Sequence, residues 1–369
     1  MILFAALVSW DSHAETIQID DTAYMQTTFV VGAGQPSISV CDCNSDGGMD
    51  VIISNYLDNN IIVYAGDGQG NLIESGRFPA GERPTDIDAA DINGDGFADI
   101  AVANHETSYV TLLLGDGRCG FEKAAMSPID VGENPHPHMV QLKDLDGDKI
   151  SELIVDSRDN NGLLVMKGLP EAGFNPSGKI VNVDGDPYRG FAVNDIDNDG
   201  ALDLVSPNQR DVGIALNAAS DGFEFALTKI AFDGSPFAVE LADITGDHKL
   251  DLLVATNTDS LSVLPGDGNG LFDEKSRHAI TTAPGAKQMA IGDFNGDDIE
   301  DALVSSWSGE LIVIIGGKDK LKTYKFEHAK VPNPWGVALA DLNGDGKDDM
   351  IIADGDSNAA VLYVSKSSK

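Results

Sequence analysis

The sequence predicts an all-β fold: a seven-bladed β-propeller of four-stranded antiparallel blades, the last closed by an N-terminal strand. Three observations carry that expectation. A short acidic pattern recurs seven times, its flanks recur with it as strand-like stretches, and the two ends of the chain complement one another.

The acidic pattern is D-x-[D/N/T]-x-D-x-x-x-[D/E], starting at Asp42, Asp91, Asp144, Asp195, Asp243, Asp293 and Asp341, at intervals of 49, 53, 51, 48, 50 and 48 residues. Upstream of each copy lies an apolar stretch opened by Pro or Gly, such as NPWGVALAD at 333–341. Downstream comes a β-branched run, such as ADIAVAN at 98–104, then a polar turn and a third apolar stretch, such as SYVTLLLGDG at 108–117. The Gly-Asp-Gly that ends several of these suits a tight hairpin. A more polar fourth strand closes the unit, as in FEFALTKIAFDG at 223–234. After Asp341 the chain supplies only two strands, near 348–354 and 359–365, so the seventh repeat lacks its fourth. Residues 24–32 match the missing piece, and a strand there removes both open edges of the ring. The blades are expected at about 35–82, 83–133, 134–185, 186–234, 235–283, 284–332 and 333–369 plus 24–32.

Charge narrows the function. The 369 residues carry 60 acidic and 24 basic side chains, a formal charge of −36, which disfavours nucleic acid and anionic lipid as partners. Hydrophobic content of 42% is ample for a core, so the acidity does not signal disorder. The apolar run ILFAALVSW at 2–10, followed by Ser12-His13-Ala14, has the layout of a secretory signal peptide over 1–14, with 15–23 as a linker. It lacks the usual basic start, since the first Lys or Arg is Arg77. No later apolar run is longer, so no membrane insertion is expected, and the protein should be secreted, periplasmic or on the cell surface. Three cysteines, Cys41, Cys43 and Cys119, are too few for a disulfide framework and leave at least one thiol unpaired; Cys41 and Cys43 read as structural thiols.

Side-chain oxygens at positions 1, 3, 5 and 9 of each loop, with a backbone carbonyl at 7, suit a hard cation that takes about six to eight oxygens. The same opening begins a helix–loop–helix calcium site, but that needs Glu at position 12, where this chain has Ile53, Val102, Val155, Ser206, Val254, Val304 and Ile352. The ligand sets are Asp42, Asn44, Asp46, Asp50; Asp91, Asn93, Asp95, Asp99; Asp144, Asp146, Asp148, Glu152; Asp195, Asp197, Asp199, Asp203; Asp243, Thr245, Asp247, Asp251; Asp293, Asn295, Asp297, Asp301; and Asp341, Asn343, Asp345, Asp349. Up to seven Ca²⁺ are expected. Loops three, five and six should bind more weakly, because Lys149, His248 and Asp298 stand where the others have Gly at position 6; Thr245 makes the 243–251 loop the weakest.

DINGDGFAD, DIDNDGALD and DLNGDGKDD, with the downstream GDGxGxF variants, resemble the FG-GAP/VCBS repeat of integrin α-chain propellers and many exported bacterial proteins. The resemblance spans residues 24–369. It implies a seven-bladed propeller with calcium between the first and second strands of a blade. The family includes adhesion proteins, a fungal sugar-binding lectin and a few polysaccharide lyases, so it does not single out one activity.

Calcium loops on one face leave the opposite face for recognition. The residues after each blade-opening Pro, namely Ser37, Thr85, His136, Tyr188, Phe237, Gly285 and Trp335, should ring the channel mouth there, with His138, Arg189 and Lys287 beside them. The second-to-third loops add Tyr56, His105, Arg158, Arg210 and Trp307. His136, His138, Tyr188, Arg189, Phe237, Trp307 and Trp335 are the candidate ligand-binding residues for a glycan or extracellular protein partner. His136, His138, Tyr188 and Arg189 would alternatively serve a polysaccharide lyase, by neutralising a uronate and removing its α-proton. A scaffold module without small ligand is the third reading. The sequence shows no Walker loop, no nucleophile-elbow G-x-S-x-G and no His/Cys metal spacing.

Overall fold

The β-branched run after each acidic loop is a strand with little or no exposure along its length. In a computed structural model of the chain, Asp50–Asn55, Asp99–Asn104, Asp251–Thr256, Asp301–Ser306 and Asp349–Asp354 are buried at every residue. A continuous apolar run of that length is what a strand covered on both faces requires. The structure describes residues 16–366 except 33, 133–135, 157–161, 171–172, 188–189, 219–223, 259 and 282–284. The proposed signal peptide, Arg158, Tyr188 and Arg189 lie outside the described residues.

Seven antiparallel sheets follow one another along the chain. Blade one is Ile38–Cys41, Asp50–Asn55, Asn60–Gly66 and Leu72–Pro79 in that spatial order. Blade two is Pro84–Ala90, Asp99–Asn104, Tyr109–Gly115 and an outer edge split into Phe121–Lys123 and Ile129–Asp130. Blade three is Val140–Lys143, Glu152–Val155, Gly162–Met166 and Lys179–Asn182, with a small hairpin of Gly168–Leu169 and Gly173–Phe174 inserted before the last strand. Blades four to six run over Ala192–Ala231, Pro236–Thr281 and Ala286–Phe326 with four strands each. Outer strands show the mixed exposure of an edge; in Leu72–Pro79 only the first residue is buried. Among the described residues the helical content is one turn, Glu274–Ser276, and no helix is long and apolar enough to cross a membrane.

Blade seven closes the ring as expected, with different bounds. Its first three strands are Pro334–Ala340, Asp349–Asp354 and Ala359–Ser365, and the fourth is Thr22–Val30, paired from Tyr24↔Ser365 to Val30↔Ala359. The segment 15–23, expected as a linker, instead contains a strand, Thr16–Ile19, that forms a hairpin with Thr22–Val30 and gives this blade five strands. Asp20 turns that hairpin in the left-handed region, and Lys322 of blade six anchors it at 2.7 and 2.9 Å.

The core is divided among the blade junctions. Among the described residues, seven buried apolar clusters each join two neighbouring blades; one sets Val51, Ile53 and Ile62 of blade one against Ala338, Ile351 and Ala353 of blade seven. The first strand of every blade faces a common central channel, so one cavity of about 250 Å³ touches residues from all seven blades.

Candidate functional site

Each acidic loop folds by satisfying its own backbone amides. In loop one the Asp42 carboxylate accepts from the amides of Asp46 and Gly47 at 3.1 and 2.9 Å, and Asn44 Oδ1 accepts from Asp46 at 2.9 Å. The ninth-position carboxylate works differently. Asp50 accepts from the amide of Cys43 at 2.8 Å and from Gly66 on the third strand at 2.9 Å, so it staples loop to blade. The same pair of bonds recurs at Asp99, Glu152, Asp203, Asp301 and Asp349, and Asp251 makes it with the amide of Thr245, the third rather than the second residue of its loop. Position 6 has positive φ in every loop, including Lys149 (72°), His248 (64°) and Asp298 (63°), so these three non-glycine residues carry the backbone strain expected of them.

The donor chemistry suits a hard cation. In loop three one oxygen each from Asp144, Asp146 and Glu152 lies within 4.8 Å of the others, and in loop four the same holds for Asp195, Asp197 and Asp199. Burial, reinforced by neighbouring carboxylates, pushes Asp99 and Asp203 up to about 6 and Glu152, Asp301 and Asp349 up to about 7. Loop three also has a cation of its own. The Lys167 ammonium pairs with Asp146 and, at 3.1 Å, with Asp148, which raises the lysine; the Ile150 amide, helped by Lys167, holds Asp148 below its usual range.

On the opposite face, strand register decides which side chains ring the channel. A bulge after Pro84, Pro236, Ala286 and Pro334 turns out Thr85, Phe237, Lys287 and Trp335. Blade six therefore presents Lys287 where Gly285 was expected. In blade three, counting back from the Val140↔Val155 pair assigns the equivalent position to His138 rather than His136.

Two clusters result. Trp307 lies edge-on to Trp335 at 5.1 Å and to Phe237 at 6.1 Å. The Lys287 ammonium sits 5.1 Å from each tryptophan ring and donates to the Pro334 carbonyl at 2.9 Å and to Asn333. Burial lowers Lys287 to about 8. Trp335 is 8% exposed and Trp307 47%. The second cluster gathers His105, His136 and His138, with Tyr56 3.4 Å from His105 Nδ1 and Arg83 donating to the Tyr56 hydroxyl at 3.2 Å. Lys287, Trp335 and His138 line the channel cavity together.

Deeper in the channel Asp86 accepts from Ser37 of blade one at 2.6 Å and from the Val140 amide of blade three at 3.0 Å. Asp86 and Glu240 are partly buried in the channel wall, and desolvation raises them to about 7 and about 8. These carboxylates, Lys287 as a ring residue, Lys167 as an internal cation and the meeting of His105 with His136 and His138 were not expected from the sequence. The signal for Lys287 was there. Fourteen residues before each ninth-position carboxylate stand Pro36, Thr85, His138, Arg189, Phe237, Lys287 and Trp335.

The model of the FG-GAP-like repeat family matches residues 42–102, 91–155, 195–254 and 243–304, together 224 of the 369 residues. The chain belongs to the FG-GAP-like repeat family. Each match runs from one acidic loop through the next, so the FG-GAP repeat and the structural blade are offset by one strand. Two solved structures share the fold: BBS1N in complex with ARL6DN, soaked with lead in one case and mercury in the other. They match at TM-scores of 0.65 and 0.63 with 13% identity, over 92% of this chain and 96% of theirs.

Proposed function

We propose that this FG-GAP propeller is an exported recognition module, braced by calcium in its acidic loops, that binds a protein partner on the calcium-free face. The observation that carries the reading is Trp307. It is the one aromatic side chain among the exposed large hydrophobics of the described residues, and it stands on Trp335, Phe237 and Lys287. A half-exposed tryptophan on a rigid aromatic base beside a cation is the composition of a protein-binding hot spot. BBS1N, which shares the fold, was solved with a protein partner.

Calcium is supported by the convergent carboxylates of loops three and four and by the common backbone of all seven. Export is supported by the apolar run at 2–10 and by a disulfide between Cys43 and Cys119, which ties loop one to blade two and leaves Cys41 free.

The test compares what calcium-loaded wild type and Trp307→Ala retain from an extract of extracellular and envelope proteins, with a glycan array and a uronate-release assay on the same sample. A protein retained by the wild type alone supports the reading. A Trp307-dependent glycan, or release of unsaturated uronate, replaces it with a lectin or a lyase.

A further inference from the structure

We propose that His105, His136 and His138 bind a divalent transition-metal ion of the zinc class at the channel mouth, separate from the acidic loops. His105 comes from the second-to-third turn of blade two, and the other two from the segment that opens blade three. One ring nitrogen of each lies within 4.8 Å of the other two. His105 Nε2 and His138 Nε2 are 3.1 Å apart. A tetrahedral zinc with metal–nitrogen bonds of about 2.05 Å sets its ligand nitrogens about 3.3 Å apart, so this pair already has the required spacing. The ring centroids lie 4.8, 4.7 and 5.5 Å from one another, close enough for small movements to bring the third nitrogen in.

A hydrogen bond between two imidazoles accounts for one pair and leaves the third ring unexplained. His136 has a φ of 132°, which non-glycine residues rarely adopt, and its Nδ1 is buried without a hydrogen-bond partner. A strained backbone that aims an unsatisfied ring at two other histidines is a cost that structure alone does not require.

The surroundings are those of a supported metal ligand. The Tyr56 hydroxyl meets His105 Nδ1 at 3.4 Å and also receives Arg83, which holds the ring with Nε2 toward His138, where an ion would replace the contact between the two imidazoles. Asp156 accepts from the backbone amides of His138 and Met139 at 2.7 and 2.8 Å and sets its other oxygen 3.8 Å from His138 Nδ1. Carboxylates behind ligating histidines fix the ring and raise its basicity. Neutral imidazoles favour zinc and its neighbours over calcium. His105 and His136 are only partly buried, so an ion has a route in. Three ligands leave a fourth position for water or a group from a bound partner.

The test uses tag-free full-length chain in excess calcium, titrated with zinc chloride by calorimetry and with cobalt chloride by visible absorption. One zinc per chain is expected, with a tetrahedral cobalt spectrum. His105→Ala and His136→Ala should each weaken zinc about 100-fold or more, and Asp156→Asn about 10- to 100-fold. His278→Ala, outside both the cluster and the acidic loops, should leave zinc affinity and the cobalt spectrum unchanged. The two partly buried histidines carry the test if His138→Ala fails to fold. Absence of stoichiometric zinc binding, an octahedral cobalt spectrum, or zinc binding that survives the His105→Ala/His136→Ala double substitution overturns the proposal.

Discussion

The hydroxyl of Tyr24 donates a 2.9 Å hydrogen bond to the carbonyl of Phe294, 270 residues further along the chain. Phe294 is the second residue of the sixth acidic loop, and other junctions cap the carbonyl at that position too. Leu342 is capped by the Gly70 amide, Cys43 by Cys119, Ile244 by Gly317, and Leu145 by the Asn217 side chain, at 3.0 to 3.1 Å. At the last junction the donor is a phenol carried by the closing strand. The acidic loops thus belong to the blade interfaces as much as to their own blades.

Ring closure should therefore respond to one atom. Tyr24 is fully buried, and Tyr24→Phe leaves the Phe294 carbonyl without this donor at a cost of about 1–3 kcal/mol. Denaturant unfolding should show a lower midpoint and an unchanged slope. Deleting residues 16–30 should instead expose the edge strand Ala359–Ser365 and cause aggregation. A soluble, cooperatively folding deletion would show that the hairpin is dispensable.

Chelation should lower the melting temperature, since each loop at about 100-fold calcium above its dissociation constant gains about 2.7 kcal/mol. Lys167 gives this prediction a finer form. Its ammonium neutralises Asp146 and Asp148, so loop three should lose least when calcium is removed. Lys167→Met should make the EDTA-induced drop larger than in wild type, and calcium should restore more. Equal drops in the two proteins would count against the lysine acting as a counter-cation, and no drop in either would remove calcium from the account.

The fold was legible because its information is local and repeated. Asp42 to Asp50 spells a loop, and β-branched runs such as ADIAVAN spell a buried strand, wherever they stand in the ring. Closure was legible from arithmetic, since a blade short of a strand needs one from the other end. Thr16–Ile19 escaped because four residues, TIQI, are too short to show a period before the turn at Asp20. Lys287 was read as a neighbour of the ring rather than a member of it because Pro284 drew the blade's start two residues early, while Ala286 holds the place proline has elsewhere. The three histidines were placed on the recognition face, but their meeting had no local signal: His105 and His136 stand 31 residues apart and come together because blades two and three are neighbours.

Lys287 should leave a signature in the pH dependence of stability. Burial lowers it to about 8 from 10.5 in the free side chain. The unfolded chain therefore holds more protons between those values, so stability rises with pH across that window. Below pH 8 the ammonium is charged in both states and its burial costs most; above 10.5 it is neutral in both and the cost is gone. The upper bound is about 3 kcal/mol, reduced where channel water screens the charge and by the two tryptophan faces. The melting-temperature difference between Lys287→Met and wild type should move steadily in favour of wild type from pH 8 to pH 10. A difference that stays flat would mean that the ammonium is solvated.

The two tryptophans should separate packing from recognition. Trp335 is 8% exposed, accepts a 2.8 Å hydrogen bond at its carbonyl from Ser305, and lines the channel cavity. Removing so large a buried side chain costs about 3–5 kcal/mol, so Trp335→Ala should be chiefly a stability variant. Trp307, 47% exposed on top of it, has much less to lose on truncation. Its rim packing on Trp335 and Phe237 should cost about 1 kcal/mol or less. If partner binding is centred here, Trp307→Ala should lose about 2 kcal/mol of affinity, roughly 30-fold, with calcium content and melting close to wild type. Phe237→Ala should fall between the two, because that ring is partly buried and stands T-shaped to Trp307. The decisive measurement is affinity against melting temperature for the three variants with one purified partner. Affinity lost only in step with stability would make the cluster a channel plug, and would move recognition to another part of the propeller.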